Sequence, residues 1–136
     1  MKIMIVDDEK DVKVLFLQQF RKEIRKGKLV LHFAFSGESA LQCLEKKGEK
    51  YFSLILSDIN MPGMNGLELL KAIKARFSGL SVCMITAYGD EQTYRKAVEY
   101  GCSDYFTKPI AFKALKKKVL TGELAARKVT NTEPGP

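Results

Sequence analysis

Three aspartates follow apolar stretches of the sequence, at points where buried strands would end. Asp7 and Asp8 follow the apolar residues at 3–6, and Asp58 follows a second apolar run. The segment after Asp58 is rich in Pro, Gly and Asn, as loops are, and a helical pattern begins at Leu67. Open α/β sheets place their chemistry at the carboxyl ends of strands. The leading hypothesis is that Asp58 accepts a phosphoryl group.

Two further polar residues end predicted strands, namely Thr86 and Lys108. Because the carboxyl ends of parallel strands meet at one edge, these side chains and the three aspartates can converge. Close carboxylates repel each other, and the positive charge of a bound Mg²⁺ would offset that repulsion. Mg²⁺ takes oxygen ligands, and it typically lies between carboxylates and a phosphate. Asp58 would then be the nucleophile. Mg²⁺, Lys108 and Thr86 would each stabilise charge on one phosphoryl oxygen.

The elements that would carry these residues alternate regularly along the chain. Helical periodicity is seen, for example, at Val12, Leu15, Phe16, Phe20 and Ile24, with Gly27 placed to end that helix. Five βα units predict an α/β fold, with a parallel sheet covered by helices on both faces. The strands are predicted at 2–6, 29–35, 52–57, 81–86 and 103–107, and the last helix is predicted to reach about Arg127. We expect one domain over 1–125, and a linker or disordered tail over 126–136.

The composition limits the class of protein. The 136 residues are 46% hydrophobic, which is enough for a core, and no apolar run approaches the ~20 residues that span a bilayer. The first apolar run meets acids too early for a signal peptide, so we expect a cytoplasmic protein without a membrane role. Three cysteines without metal-like spacing predict free thiols that pack as small hydrophobes.

The net charge of +7 is concentrated in two stretches, Lys10 to Lys28 and Lys113 to Lys128. A solvated basic surface is the favoured interpretation, and an acidic protein partner is the next. The sequence contains no interleaved aromatic and basic pattern, zinc finger or recognition helix. We therefore expect no direct nucleic-acid binding by this domain.

Each polar residue has an ordinary explanation by itself, as a helix-starting acid, a turn residue or a strand residue. Their joint placement after strands one, three, four and five is less easily explained, and it resembles the receiver domain of two-component response regulators. The resemblance covers the chain to about residue 122. The segments that carry it are Ile5-Val6-Asp7-Asp8-Glu9, Leu56-Ser57-Asp58-Ile59-Asn60-Met61-Pro62-Gly63-Met64-Asn65-Gly66, Met84-Ile85-Thr86-Ala87 and Asp104-Tyr105-Phe106-Thr107-Lys108-Pro109.

The resemblance implies a flavodoxin-like (βα)5 three-layer fold with strand order 2-1-3-4-5. It implies that Asp58 is the phosphoacceptor and that a phosphohistidine of a sensor histidine kinase is the donor. Asp8, Asp58 and the backbone carbonyl of Asn60 match the ligands of Mg²⁺, while Asp7 would act through water. Lys108 matches the phosphate-binding lysine, whose bond to the following proline is expected to be cis.

The resemblance further implies a two-state switch. Phosphorylation would draw in Thr86, let Tyr105 turn inward, and change the face formed by the fourth helix, fifth strand and fifth helix. An effector domain or an acidic protein partner would receive that change. The only activity implied is Mg²⁺-dependent self-phosphorylation from phosphodonors and self-dephosphorylation.

Three alternatives remain at the level of sequence. A haloacid dehalogenase-type phosphatase also uses an aspartyl phosphate and Mg²⁺, but its nucleophile follows strand one in a DxD pattern, which Asp7-Asp8 lacks. A flavin-binding flavodoxin-like module would need a phosphate-cradling loop after strand one. A basic nucleic-acid-binding module would show salt-dependent binding.

Overall fold

The chain forms a five-stranded sheet between two layers of helices. A computed structural model describes residues 1–124, so the prediction of a tail over 126–136 lies outside the described residues. Among those residues, no helix has the length and apolar character needed to cross a bilayer. The elements are β1 (Lys2–Val6), α1 (Lys10–Gln19), α2 (Arg21–Arg25), β2 (Val30–Ala34), α3 (Gly37–Lys47), β3 (Leu54–Asp58), α4 (Gly66–Arg76), β4 (Val82–Thr86), α5 (Glu91–Glu99), β5 (Asp104–Thr107) and α6 (Phe112–Leu120).

The sheet has the order β2-β1-β3-β4-β5, and every neighbouring pair is parallel. This confirms the predicted flavodoxin-like α/β fold. All residues of β3 and β4 are buried, because helices cover both faces of these inner strands. The long apolar runs in the sequence are therefore explained by two-sided burial.

The side chains of the inner strands alternate between two cores. Met4, Val6 and Ile55 face α3, α4 and α5, whereas Ile3, Ile5 and other side chains of opposite parity face α1, α2 and α6. The alternation follows from the two-residue period of a strand. Each layer of helices is thus held by its own set of buried apolar contacts.

The first predicted helix is interrupted. The backbone leaves the helical conformation at Phe20, with φ −104° and ψ 16°, so α1 ends at Gln19 and α2 is a separate short helix. Phe16 and Phe20 nevertheless both lie in the core, and Gly27 adopts φ 73° after α2, as the predicted stop requires. The second to fifth predicted helices therefore correspond to α3 to α6 of the structure.

Several predicted packing positions are solvent-exposed instead. Leu15 is 40% exposed, and Tyr94 and Val98 on α5 are 48% and 51% exposed. Cys83 is buried, but Cys43 and Cys102 are only half-buried. Helix α6 ends at Leu120, and a turn follows in which Gly122 adopts φ 75°. The predicted helix end near Arg127 lies outside the described residues.

Candidate functional site

The backbone ladder brings the predicted site residues to one edge of the sheet. Asp58 and Thr86 are the last residues of β3 and β4, and Asp7 and Lys108 directly follow β1 and β5. The ladder continues past the strand ends, since the Lys108 N–H donates to the Thr86 carbonyl at 2.8 Å. The Asp7 N–H likewise donates to the carbonyl of Ala34 at 3.1 Å. The convergence predicted from a parallel sheet is therefore present.

Three carboxylates form a compact cluster at this edge. One oxygen each from Asp7, Asp8 and Asp58 lies within 4.8 Å of the others. Asp7 and Asp58 are only 6% and 4% exposed, whereas Asp8 is the most exposed of the three. A divalent cation that prefers oxygen ligands fits this donor set, because each of the three side chains offers a carboxylate oxygen.

Lys108 is the positive group at the cluster. Its Nζ lies 3.2 Å from Asp7 Oδ2, to which it donates a hydrogen bond, and 3.5 Å from Asp58 Oδ1. Burial lowers the pKa of Lys108, but the charges of Asp58 and Asp7 outweigh burial and raise its pKa above the ordinary value. Lys108 is therefore a fixed cation that faces the carboxylates.

The Asp58 carboxyl is hard to ionise without further positive charge. Burial is the largest cause, the charge of Asp7 is the second, and together they raise the pKa of Asp58 to about 6 although Lys108 opposes them. A cation bound among the three aspartates would lower that pKa. The geometry thus favours an anionic Asp58 when a metal ion is present.

Gly66 fixes the loop that follows Asp58, and sequence reasoning did not single it out. A Cβ at this position would lie 2.1 Å from the Asp58 carbonyl oxygen, and the Gly66 N–H donates to the Ile59 carbonyl at 2.7 Å. Asn65 caps α4 in a reciprocal capping box with Glu68. The signal in the sequence was the Asn-Gly pair at the start of a helical pattern.

The hydroxyl of Thr86 forms its hydrogen bonds with Asn60 and Tyr88. Its Oγ1 accepts hydrogen bonds from the Tyr88 N–H at 3.1 Å and from Asn60 Nδ2 at 3.3 Å. The hydroxyl donates to the Tyr88 carbonyl at 3.3 Å. The hydroxyl of Thr86 is therefore fully engaged by the two loops beside it.

Tyr105 lies on the strand next to Thr86, away from the carboxylate cluster. Its ring packs edge-on against Tyr94 with centroids 5.1 Å apart, and its buried hydroxyl has no hydrogen-bond partner within residues 1–124. Burial, followed by the charge of Asp90, raises the pKa of Tyr105. The neighbouring Asp104 pairs with Lys118 of α6 at 2.8 Å. Strand β5 thus contacts α5 through Tyr105 and α6 through Asp104, on the predicted output face.

The sequence and geometry match one protein family. The family model described as "Response regulator receiver domain" matches residues 3–120. The chain belongs to this family. A receiver domain is a phosphorylation-dependent switch in two-component signalling, and this class of function therefore applies to the chain. The predicted peptide geometry also agrees with the structure, since the Lys108–Pro109 bond of this receiver domain is cis.

Curated relatives share the receiver domain at moderate identity. The chain is 33% identical over 108 residues to sporulation initiation phosphotransferase F of Bacillus subtilis, which covers 79% of this chain and 82% of that protein. It is 39% identical over 100 residues to response regulator protein FleR of Pseudomonas aeruginosa, over 74% of this chain. The match spans only 19% of FleR. Receiver domains of this kind thus occur both nearly alone and within much longer regulators.

Solved receiver domains have the same fold. A CheY-like receiver domain protein from Methanospirillum hungatei superposes with a TM-score of 0.80 at 25% identity, over 95% of this chain and 97% of that one. A response regulator described as putative in its name, from Chloroflexus aurantiacus, gives 0.75 at 28% identity, over 89% and 95% of the two chains. The five-stranded architecture of this receiver domain is therefore shared across distant organisms.

Proposed function

We propose that Asp58 is the phosphoacceptor of this receiver domain. The observation that carries the proposal is the position of Lys108, whose ammonium lies within 3.5 Å of Asp58 and 3.2 Å of Asp7. A phosphoryl group on Asp58 would lie beside the Lys108 ammonium. Its negatively charged oxygens would then bind Lys108 in place of the Asp58 carboxylate. Asp58 is the last residue of β3, so the donor would approach it from the carboxyl edge of the sheet.

Mg²⁺ is the proposed cofactor. Asp8, Asp58 and the backbone carbonyl of Asn60 would hold it, and Asp7 would contribute through a water molecule. The close approach of the three carboxylates, within 4.8 Å, supports this donor set. When bound, Mg²⁺ supplies positive charge that neutralises the carboxylates and one phosphoryl oxygen.

The protein side chains then divide the remaining work. An ionised Asp58 oxygen attacks phosphorus, and the bond from phosphorus to the donor breaks. Lys108 Nζ binds one phosphoryl oxygen, and the Thr86 hydroxyl donates to another. To do so, Thr86 must leave its bonds to Tyr88 and Asn60, which are 3.1–3.3 Å long. Tyr105 would turn into the space that Thr86 vacates, and the surface of α5, β5 and α6 would change.

The partners follow from the family. A sensor histidine kinase would donate the phosphoryl group, and a downstream effector domain or an acidic protein would receive the altered surface. The chain spans about a fifth to a quarter of the regulators FleR and PilR, so an effector is proposed for the whole protein rather than for this domain. The chemistry of the domain itself would be limited to Mg²⁺-dependent phosphorylation and dephosphorylation of Asp58.

The haloacid dehalogenase-type phosphatase is the less favoured alternative. Its nucleophile would be Asp7, but both oxygens of Asp7 are already used, one by Lys108 and the other by the Glu9 N–H at 2.9 Å. The family match over 3–120 also belongs to receiver domains. We therefore assign the nucleophilic role to Asp58.

The proposal is tested by labelling with acetyl phosphate, a small phosphodonor, followed by intact-mass spectrometry. The wild-type chain with Mg²⁺ should gain the mass of one phosphoryl group, and EDTA should abolish the gain. Asp58→Asn should remain unlabelled, while the exposed control Asp11→Asn should label normally. Normal labelling of Asp58→Asn, or loss of labelling only in Asp7→Asn, would reject Asp58 as the nucleophile.

A further inference from the structure

Helix α1 carries apolar side chains on its solvent side as well as on its core side. Phe16 and Phe20 fill the core, where they are at most 1% exposed. Val14 and Leu17 point the other way, with 56% and 38% of their surface exposed. The fold does not need these two side chains for its core, so their exposure calls for another explanation.

The exposed side chains form a groove that continues onto α2. It encloses about 450 Å³, and its lining is almost entirely carbon. It runs from Val14 on α1 to Arg25 on α2, across the break at Phe20. We call this surface the α1–α2 groove; its lining residues are Val14, Leu17, Gln18, Arg21, Ile24 and Arg25.

The rim of the α1–α2 groove is basic. Arg21 and Arg25 are exposed, and within residues 1–124 neither guanidinium pairs with a carboxylate. The acid of α2 turns away from the groove, since Glu23 pairs with Lys116 of α6 at 3.1 Å. Further basic residues flank this end of α2 at positions 22, 26 and 28. The α1–α2 groove is thus apolar along its floor and positive along its rim.

The α1–α2 groove leads away from the carboxylate cluster. Helix α1 begins at Lys10, just after Asp8, at the carboxyl edge of the sheet. The chain beyond α2 reaches the opposite edge, where the Lys28 carbonyl accepts a hydrogen bond from the amino terminus of Met1 at 3.3 Å. A ligand centred on Arg21 and Arg25 would therefore leave the approach to Asp58 free.

We propose that the α1–α2 groove binds an acidic amphipathic helix of a partner protein. Apolar residues spaced at i, i+3/i+4 and i+7 on such a helix would cover Val14, Leu17 and Ile24. Carboxylates beside that stripe would pair with Arg21 and Arg25, whose planar guanidinium groups suit bidentate contacts. Nucleic acid has no apolar side chains to cover the floor, and binding to a membrane surface is an outcome of the test below.

The test uses the full 136-residue chain and a labelled synthetic helix with leucines at i, i+3/i+4 and i+7 and glutamates beside them. Fluorescence anisotropy should show saturable binding. Arg21→Glu/Arg25→Glu should weaken binding at least tenfold. The matched control Lys46→Glu/Lys47→Glu, which makes the same charge change on α3, should stay within twofold. Leu17→Asn should also weaken binding, while circular dichroism shows all variants folded.

Three results would overturn the proposal. One is no binding of the helix at millimolar concentration, and another is equal weakening by the two charge-reversal pairs. The third is unchanged affinity for a peptide of the same charge with serines in place of leucines, since binding would then be purely electrostatic. Anionic phosphatidylglycerol vesicles and a DNA duplex are run in parallel, and Arg21/Arg25-dependent binding to either, in place of the peptide, would assign the groove to that surface instead. Labelling of Asp58 by acetyl phosphate with the peptide bound should be unchanged, and its loss would contradict the proposed separation.

Discussion

The Asp58 carboxylate is repelled by the Asp7 carboxylate and attracted by the Lys108 ammonium. It is almost fully buried beside Asp7, and a single lysine at 3.5 Å compensates only part of the repulsion. Burial and the charge of Asp7 therefore raise the pKa of Asp58 to about 6. A carboxyl with a raised pKa costs the folded state free energy whenever it is ionised, so the site is maintained at the expense of stability.

Asp58→Asn should therefore stabilise the metal-free protein. The folded state binds the proton of Asp58 more tightly than the unfolded state, so wild-type stability falls as pH rises from about 4 to 6, and the variant escapes this loss. The gain at pH 7.5 in EDTA should be about 1–2 kcal/mol, because solvent at the open edge screens part of the effect. Urea unfolding at pH 4 and 7.5 measures it.

The matched control for that measurement is Asp11→Asn, which removes an exposed carboxylate near the start of α1. Its stability should follow the wild type at both pH values. A gain for Asp58→Asn that is equally large at pH 4 would contradict the electrostatic explanation, since the Asp58 carboxyl of the folded state is then largely protonated and uncharged.

Asn60 acts as a restraint on Thr86. Its side-chain amide donates to the Thr86 hydroxyl, which the Tyr88 backbone also binds. Removal of that amide should free Thr86 to face a phosphoryl group more often. Since one hydrogen bond contributes about 0.5–1 kcal/mol net, Asn60→Ala should speed labelling by acetyl phosphate about two- to fivefold. Initial rates from intact-mass spectrometry measure this effect.

A double-mutant cycle separates that restraint from other roles of Asn60. In the Thr86→Val background the hydroxyl is gone, so Asn60→Ala should no longer speed labelling. An equal acceleration in both backgrounds would show that Asn60 acts through another contact.

At the scale of elements, the convergence of the site was predictable because a parallel sheet aligns the carboxyl ends of its strands. Asp58, Thr86 and Lys108 each end an apolar run, and the ladder between adjacent strands keeps those ends level. The positions of the strand ends and the parallel arrangement of the strands were enough to predict that these side chains converge. The assignment of Asp58 as phosphoacceptor stays a prediction until labelling tests it.

Other features could not be predicted from the same patterns. Phe16, Phe20 and Ile24 keep helical spacing across the break between α1 and α2, so periodicity gives no sign of the changed backbone at Phe20. The direction of the Thr86 hydroxyl depends on the Tyr88 backbone and on Asn60, which are far apart in sequence. Such contacts depend on tertiary packing, which a local pattern does not encode.

Gly66→Ala should severely destabilise the fold. The added methyl would meet backbone atoms of Asp58 and Ile59, at 2.1 Å and 2.6 Å, which cannot move without shifting β3. We expect a loss of more than about 3 kcal/mol in the free energy of unfolding, or no folded protein. Chemical denaturation, or circular dichroism where the variant is poorly folded, measures this loss.

Gly37→Ala is the matched control, because Gly37 opens α3 as Gly66 opens α4. The three atoms nearest to its added methyl belong to the side chain of Met64, at 2.9–3.1 Å, and that flexible chain can move aside. Its stability should change by less than about 1 kcal/mol. Similar losses in both variants would indicate that the requirement is for glycine at a helix start rather than for close approach to β3.

On the scale of the whole molecule, a cation bound at the carboxylate cluster would couple metal binding to folding. The aspartates come from the ends of β1 and β3 and converge only in the folded chain. A cation that binds only this arrangement stabilises the entire domain by mass action. The size of that stabilisation reports affinity for the metal without any phosphodonor.

Addition of Mg²⁺ should raise the melting temperature. At a concentration tenfold above its Kd the stabilisation is about 1.4 kcal/mol, which corresponds to about 3–6 °C for a domain of this size. Differential scanning calorimetry in EDTA and in Mg²⁺ measures the shift. Asp8→Asn should largely remove it, and Asp90→Asn, which changes an exposed helix cap, should retain it. A full shift in Asp8→Asn would place the cation elsewhere.

The contact between Lys108 and Asp7 joins residues 101 positions apart. On a ribosome that adds about 5–20 residues per second, Asp7 is therefore made about 5–20 seconds before its lysine. A growing or truncated chain carries its aspartates without the cation that completes the site. If Lys108 is required for phosphorylation of Asp58, as proposed above, such an incomplete chain would not compete with finished molecules for the phosphoryl donor.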